Sequence, residues 1–515
     1  MRLATNLGRK RSVESAKGAL LSGPDRPSGD KLTVARRRDR SGSGPGIVDD
    51  LLVTAPVIGS PDMTVREAAM LMTERGQDHV VIPLPGGGHG LLTDADIRAG
   101  VVAAGRDIDT TVREFVTGPV PVVRRGTAAV DALTELLDRD LTAMPVVDPA
   151  GAVIGVVAAV DFVAAPAGPG MSLRAQVSRA GSVDDLQSRS RRIPYLMADM
   201  VRREQPVHEI TAVASLIHDA VVRRALELVL DHHPELDPGS LTWLSLGSNA
   251  RREPVLTSDI DSAVAFDDDV PDAQITAYRA AFGEVDEILV GAGLAIDRNG
   301  ALASKPLFAR THAQWRQAAR GWLDAPLENK GMIFTSLLLD GRPIWGDQGL
   351  TAVGEVFGEL REHRGTLGVL LAEALSYKAR LRSMRDVLTR RADTFEIKEH
   401  ALTPLVNIAR WAALSVGSTA LDTRSRLRAA AGSAMLGEAQ AAELIEVFDV
   451  LQRVRLTYQV AQFDRGEQVG DTLDMKRLSP LDRSLVAQAI REIAGVQRRM
   501  ANMSHYLPVT DQGGD

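Results

Sequence analysis

The chain has 515 residues, 44% of them hydrophobic and 25% charged, which is enough for about three or four domains with cores of their own. It contains no cysteine, which excludes disulfides and thiolate-bound metals and fits a reducing, cytoplasmic setting. A formal net charge of -7 argues against a nucleic-acid binder.

Residues 1–46 are rich in Arg, Lys, Ser, Gly and Pro, including Arg36-Arg37-Arg38 and Ser41-Gly42-Ser43-Gly44. Such a tract buries too little apolar surface to offset the entropy of ordering it, so a disordered basic tail is expected. Met1 to Lys31 lacks the unbroken apolar core of a signal peptide.

From 47 to 166 one unit occurs twice. The first copy has Met63-Thr64-Val65-Arg66-Glu67, a Thr-headed amphipathic helix, then His79 to Leu84, a turn at Gly86-Gly87-Gly88, and Gly90-Leu91-Leu92-Thr93-Asp94-Ala95-Asp96. The second has Thr127 to Leu133, Ala143 to Asp148, a turn at Pro149-Ala150-Gly151, and Gly155 to Phe162. Each copy reads as helix, strand, tight turn, strand, helix. Gly151 to Gly168 is apolar but broken by Asp161 and Pro166, so no membrane span is expected. The repeat resembles a tandem pair of cystathionine-β-synthase (CBS) domains. That resemblance implies a regulatory adenine nucleotide, AMP or ATP, at a strand-to-helix junction of the Thr/Ser-x-x-Asp kind, with hydroxyl and amides on phosphate and carboxylate on ribose. Thr93 and Asp96 match the junction in the first copy; Asp161 matches in the second, where Ala158 replaces the hydroxyl. Thr93 also reads as a plain helix cap. Such pairs commonly dimerise, so a homodimer is expected.

Pro166 to Gly170 reads as a linker, and the following residues as a helical lead-in, with Ile193, Leu196, Met197 and Met200, then Ile210, Val213, Leu216 and Ile217, at helical spacing. Arg223-Arg224 falls on the polar side and reads as solvated. His232-His233 reads the same way, since neighbours on a helix diverge too far to share a metal.

The rest of the chain is organised around Leu244 to Phe266, LSLGSNARREPVLTSDIDSAVAF. Two short apolar strands flank a polar turn carrying Arg251 and Glu253. On a strand, Asp259 and Asp261 share a face while Ile260 points away. Paired carboxylates repel unless a divalent cation lies between them. Gly247-Ser248 leaves room for backbone amides to approach a phosphate. The pattern Gly-Ser-x-x-Arg-x-Glu, then Ser-Asp-x-Asp, resembles the DNA polymerase β-type nucleotidyltransferases, and within them the N-terminal catalytic domain of protein-PII uridylyltransferase.

The resemblance implies Mg²⁺ held by Asp259 and Asp261, an NTP whose phosphates meet Gly247, Ser248 and Arg251, and a third catalytic carboxylate from a later strand. Asp297, after Leu294-Ala295-Ile296, is favoured; Asp340, in Asp340-Gly341-Arg342-Pro343-Ile344-Trp345-Gly346, is the competitor, or else forms an ion pair with Arg342. Glu253 is expected to brace the turn by pairing with Arg251 or Arg252. The acidic loop Asp267-Asp268-Asp269 reads as solvated.

The fold class expected is multidomain α+β. A tandem CBS pair (47–166) precedes a polymerase β-type α/β core with its helical lead-in (171–349), then an all-α substrate-binding domain (350–507) and a tail (508–515). In the last domain Lys398 and Arg410 are candidates to face the cleft and meet triphosphate, with a solvated face the favoured reading for each. No His-Asp hydrolase motif follows. The acceptor implied is a regulatory protein, with neither specific nucleic acid nor membrane as partner. The alternative is a nucleotide-sensing regulator without catalysis.

Overall fold

The computed structural model describes residues 46–504 apart from 53, 117, 140, 165–167, 298–299, 326–337, 348–363 and 381–393. The expected basic tail (1–45), the end of the chain (505–515) and the helical reading of 350–363 lie outside the described residues.

In the first repeat, Thr64 opens helix Val65–Arg75 with a reciprocal cap: Glu67 N–H donates to Thr64 Oγ1 at 3.1 Å, and Thr64 N–H to Glu67 Oε2 at 2.9 Å. Strands β1 (His79–Pro83) and β2 (His89–Thr93) then form an antiparallel hairpin. Its turn takes Gly87 and Gly88 through φ of 88° and 82°, a region that glycine enters without strain. The second repeat pairs β3 (Val123–Arg124) parallel with β4 (Ala143–Val147), and β4 antiparallel with β5 (Val153–Ala158).

The two repeats differ in what they pack against. The first closes a small core of its own around Val65, Met72, Val80, Ile82 and Leu92. The second contributes Leu133, Leu136, Met144 and Phe162 to one continuous core with the helices that follow. The expected linker is shorter than read, because Gly168 and Gly170 belong to helix Gly168–Ser178. Helices Val183–Ser190, Ile193–Arg202 and the largely buried Val207–Leu230 complete the lead-in. Arg223 and Arg224 are not solvated: Arg223 Nε donates to the Ile344 carbonyl, and Arg224 Nε to the Ala180 carbonyl at 2.8 Å.

The central domain adds β6 (Leu241–Ser245), β7 (Asp259–Ile260), β8 (Ser262–Phe266), β9 (Ala295–Ile296), β10 (Ala309–Thr311) and β11 (Arg342–Trp345). Four of them form one sheet in the order β10-β8-β6-β11, and β7 pairs parallel with β9 in a separate ladder. The period-2 alternation of the strands serves two cores at once. Trp243, Val264 and Phe266 face the core shared with the lead-in and helix Asp272–Gly291, whereas Leu244, Ala263 and Ala265 face a core built by helix His312–Asp324 together with the C-terminal domain.

That last domain is built of helices Arg364–Ser376, Thr403–Ser415, Thr423–Ala430, Glu438–Asp464 and Pro480–Ser504. One small antiparallel ladder, β12 (Thr394–Glu396) with β13 (Thr472–Asp474), departs from the all-helical reading.

Candidate active site

The run after Ser258 is two strands and not one, and the break falls at Asp261. The chain leaves the β7–β9 ladder there and enters the four-stranded sheet at Ser262. The Asp261 carbonyl accepts from Leu246 N–H at 3.0 Å, which fixes the aspartate against the end of β6. The parallel pairing of Asp259 with Ala295 and Ile260 with Ile296 then delivers Asp297 to the same place. Oxygens of Asp259, Asp261 and Asp297 all lie within 4.8 Å of one another. Among the described residues this is the one such group of three or more acidic or histidine side chains. Asp297 is buried, and its Oδ2 accepts from Ala301 N–H at 2.7 Å.

Burial, and then the neighbouring charges of Asp259 and Asp297, push the Asp261 carboxyl up to about 7. Hard oxygen donors crowded in this way suit a small divalent cation. Gly247 completes the corner. Its φ is 59°, and a Cβ there would run into Asp261 Oδ2, so any larger residue would displace the carboxylate.

A cleft of about 220 Å³ opens beside these groups, lined on one side by Gly247, Ser248, Asp259 and Asp261 and on the other by Lys398 and Arg410. Asp297 adjoins this lining through Asp259 and Asp261. Arg251 also faces the cleft, held from behind: its Nε donates to Glu253 Oε2 at 2.9 Å and its Nη1 to Asp340 Oδ2. Glu253 thus braces the turn as expected, and it further accepts from Thr423 N–H of the C-terminal domain at 2.6 Å.

Asp340 lies apart from the acidic trio, in a cage of Arg251, Arg410 and Arg426. Burial works to raise its pKa, but the Arg410, Arg426 and Arg251 charges outweigh burial and hold the carboxyl well below the ordinary range. The alternative Asp340–Arg342 ion pair does not form. Arg342 turns instead to Asp219, at 2.9 Å, on helix Val207–Leu230. The solvated reading of Arg410 is likewise corrected: its Nη2 reaches Asp340 Oδ2 at 2.6 Å. Lys398 is exposed at the cleft rim.

A second polar knot was not legible in the sequence. Thr257 Oγ1 donates to Asp471 Oδ1 at 3.2 Å, and Arg455 and Gln459 hold the same carboxylate at 2.6 and 2.7 Å. These partners stand up to 214 residues apart, so no local pattern announces them.

At the CBS junctions Thr93 acts as a helix cap. Its Oγ1 accepts from Asp96 N–H at 3.2 Å and donates to Asp96 Oδ2 at 2.7 Å. Asp161 Oδ2 takes the Ala158 N–H at 2.7 Å, so the second junction closes without a hydroxyl. Of the two histidines, His232 Nδ1 meets the Leu228 carbonyl and His233 bridges Glu235 and Glu284. Asp267, Asp268 and Asp269 are exposed, with Asp268 accepting from Ala313 N–H at 2.6 Å.

Residues 191–329 match the family described as Putative nucleotidyltransferase DUF294, and 364–503 the Putative nucleotidyltransferase substrate binding domain. Residues 48–103 and 112–168 each match the CBS domain. The chain joins a CBS pair to both domains of the DUF294 family. This DUF294 chain is 30% identical over 115 residues to the CBS domain-containing protein YhcV of Bacillus subtilis, covering 22% of this chain and 81% of that one. It is 30% identical over 113 residues to an uncharacterized protein of Methanopyrus kandleri, with 21% of this chain covered and 55% of that one, about half of its length. Among solved structures it is similar to a CBS domain protein of Pyrobaculum aerophilum complexed with AMP, at 19% identity and a TM-score of 0.21, covering 22% of this chain and 89% of that one. Another similar structure is a conserved protein of Pyrococcus horikoshii, at 19% identity and a TM-score of 0.22, with 23% and 91% covered. No described helix of the DUF294 chain is long and apolar enough to cross a membrane.

Proposed function

We propose that this DUF294 chain is a Mg²⁺-dependent nucleotidyltransferase that moves an NMP from an NTP to an acceptor, the acceptor being a regulatory protein. The observation that carries this reading is the meeting of Asp259, Asp261 and Asp297 oxygens within 4.8 Å beside Gly247. Asp259 and Asp261 face the cleft and would hold the metal, whose charge, when bound, offsets that building on the phosphate oxygens during displacement.

The chain's own residues then have separate tasks. Gly247 and Ser248 form the floor on which the triphosphate lies. On its walls Arg251, Lys398 and Arg410 offer positive charge and N–H donors to the phosphates. Asp297, one oxygen fixed by Ala301 N–H, orients the acceptor hydroxyl and takes its proton as the oxygen–phosphorus bond forms and pyrophosphate leaves. The CBS pair, with Thr93, Asp96 and Asp161 at its junctions, ties this activity to AMP or ATP.

The test is pyrophosphate release and transfer of label from each of the four NTPs, with Mg²⁺, to proteins of a cell extract. Wild-type chain should label an acceptor and Asp259→Asn should not, while both remain folded. NTP binding without pyrophosphate release under any of these conditions would leave a nucleotide-sensing regulator in place of an enzyme.

A further inference from the structure

A second cavity, of about 300 Å³, lies where the parts of the chain converge. Its walls include Asp131 of the second CBS repeat, His208 from the start of the long lead-in helix, Arg252 of the polar turn, and Arg424, Asp449 and Gln452 of the C-terminal helices. A buried polar atom left unpaired costs about 1–3 kcal/mol, so such atoms are few and each asks for a reason. Here Arg252 Nε, Arg424 Nε, Asp449 Oδ1 and Gln452 Oε1 are all buried without a hydrogen-bond partner, and all four belong to residues that line this one cavity; the Nη atoms of Arg252 are paired with Asp138 and Asp219. Gln452 is only 5% exposed. Arg424 Nε and Asp449 Oδ2 face each other at 3.6 Å, an ion pair without a hydrogen bond.

The unmatched groups are of both kinds: N–H donors on arginines, and oxygen acceptors on Asp449 and Gln452. An occupant that satisfies them carries an anionic acceptor at one end and a cationic donor at the other. The volume lies at the lower end for ligand pockets, which run from about 300 to 1,000 Å³, so the occupant is small. Arg251, Glu253, Phe448 and Gln452 line this cavity and the acidic cleft alike. Whatever fills one therefore acts on a wall of the other.

We infer that this cavity is a binding site for a small zwitterion of amino-acid size, and that its occupancy alters NTP affinity through the shared wall. Binding itself stands apart from the transferase reading; only the coupling rests on NTP entering the cleft. The experiment uses the full chain and millimolar concentrations of the common amino acids one at a time, with spermidine and inorganic phosphate as probes that carry one sign of charge each, read by thermal melting and titration calorimetry. At least one amino acid should raise the melting temperature, and Arg424→Gln and Asp449→Asn should each weaken its binding about tenfold. Glu74→Gln, at an exposed position of the first repeat, should leave it unchanged. NTP affinity should shift when that amino acid is present and not in the two variants. Melting unmoved by every amino acid, a response to spermidine or phosphate alone, or a response that survives both substitutions overturns the site. Binding with no change in NTP affinity overturns the coupling.

Discussion

Arg410 Nη2 lies 2.6 Å from Asp340 Oδ2, joining the C-terminal helical domain to the segment that enters β11 across 70 residues of sequence. With Arg251 and Arg426 on the same carboxylate, Asp340 is the countercharge that lets three guanidinium groups stand together. Replacing Asp340 with Asn should leave them mutually repelling and cost about 3–5 kcal/mol of stability. Urea unfolding measures this; a loss under about 1 kcal/mol would put the cage on the level of an exposed pair.

Asp261 behaves in the opposite sense. Desolvated and facing Asp259 and Asp297, it is held against its own ionisation. In buffer free of divalent ions, Asp261→Asn should stabilise the protein by about 1 kcal/mol or more, because a neutral amide removes the repulsion. The same variant should no longer melt higher when Mg²⁺ is added. A variant less stable than wild type in chelator, or one that keeps the Mg²⁺ response, contradicts the metal assignment.

Gly247→Ala should combine two penalties, a left-handed backbone and a methyl group driven at Asp261 Oδ2. Roughly 1–2 kcal/mol of stability should go, and Mg²⁺-dependent NTP binding with it. Ser248→Ala, with ordinary backbone and the hydroxyl lost, should weaken NTP binding with little change in melting.

His208 sets a pH dependence. Burial, and then the charges of Arg424 and Arg428, push its imidazole down to about 4, against the smaller pull of Asp422. As pH falls through about 6.5 the unfolded chain takes up the proton first, so stability is lost between about 6.5 and 4 and unaffected above. Allowing for partial exposure, the loss is on the order of 1–2 kcal/mol. Melting temperatures across that range should fall less steeply for His208→Gln than for wild type; equal slopes would remove His208 from the account.

What the sequence revealed, and what it hid, follows from the range of the interactions. Gly247, Ser248, Asp259 and Asp261 fall within one strand–turn–strand, where side-chain alternation and small residues have local meanings. Asp297 was harder, since its place depends on β9 pairing parallel with β7 in one register. Asp340 was ambiguous because an apolar run ending in Asp reads the same whether the carboxylate meets a metal or arginines. Arg410 reads as a surface cation on a helical face, and only the folding of Thr403–Ser415 onto the turn brings it inward; Arg426, on Thr423–Ala430, carries no local signal of its own. Glu253 shows both sides: its pairing with Arg251 two positions away was legible, its contact with Thr423 N–H, 170 residues on, was not.

The central sheet has no face left over for water, since alternate side chains of β6 and β8 enter two different cores. A shortened protein ending before residue 364 would lose most of the second of these cores, with only a remnant such as Phe308, Trp315, Trp322 and Leu338 left beside Leu244, Ala263 and Ala265. Such a fragment should clump or demand detergent, so the catalytic half is not a detachable module, and engineering that trims the chain must cut elsewhere.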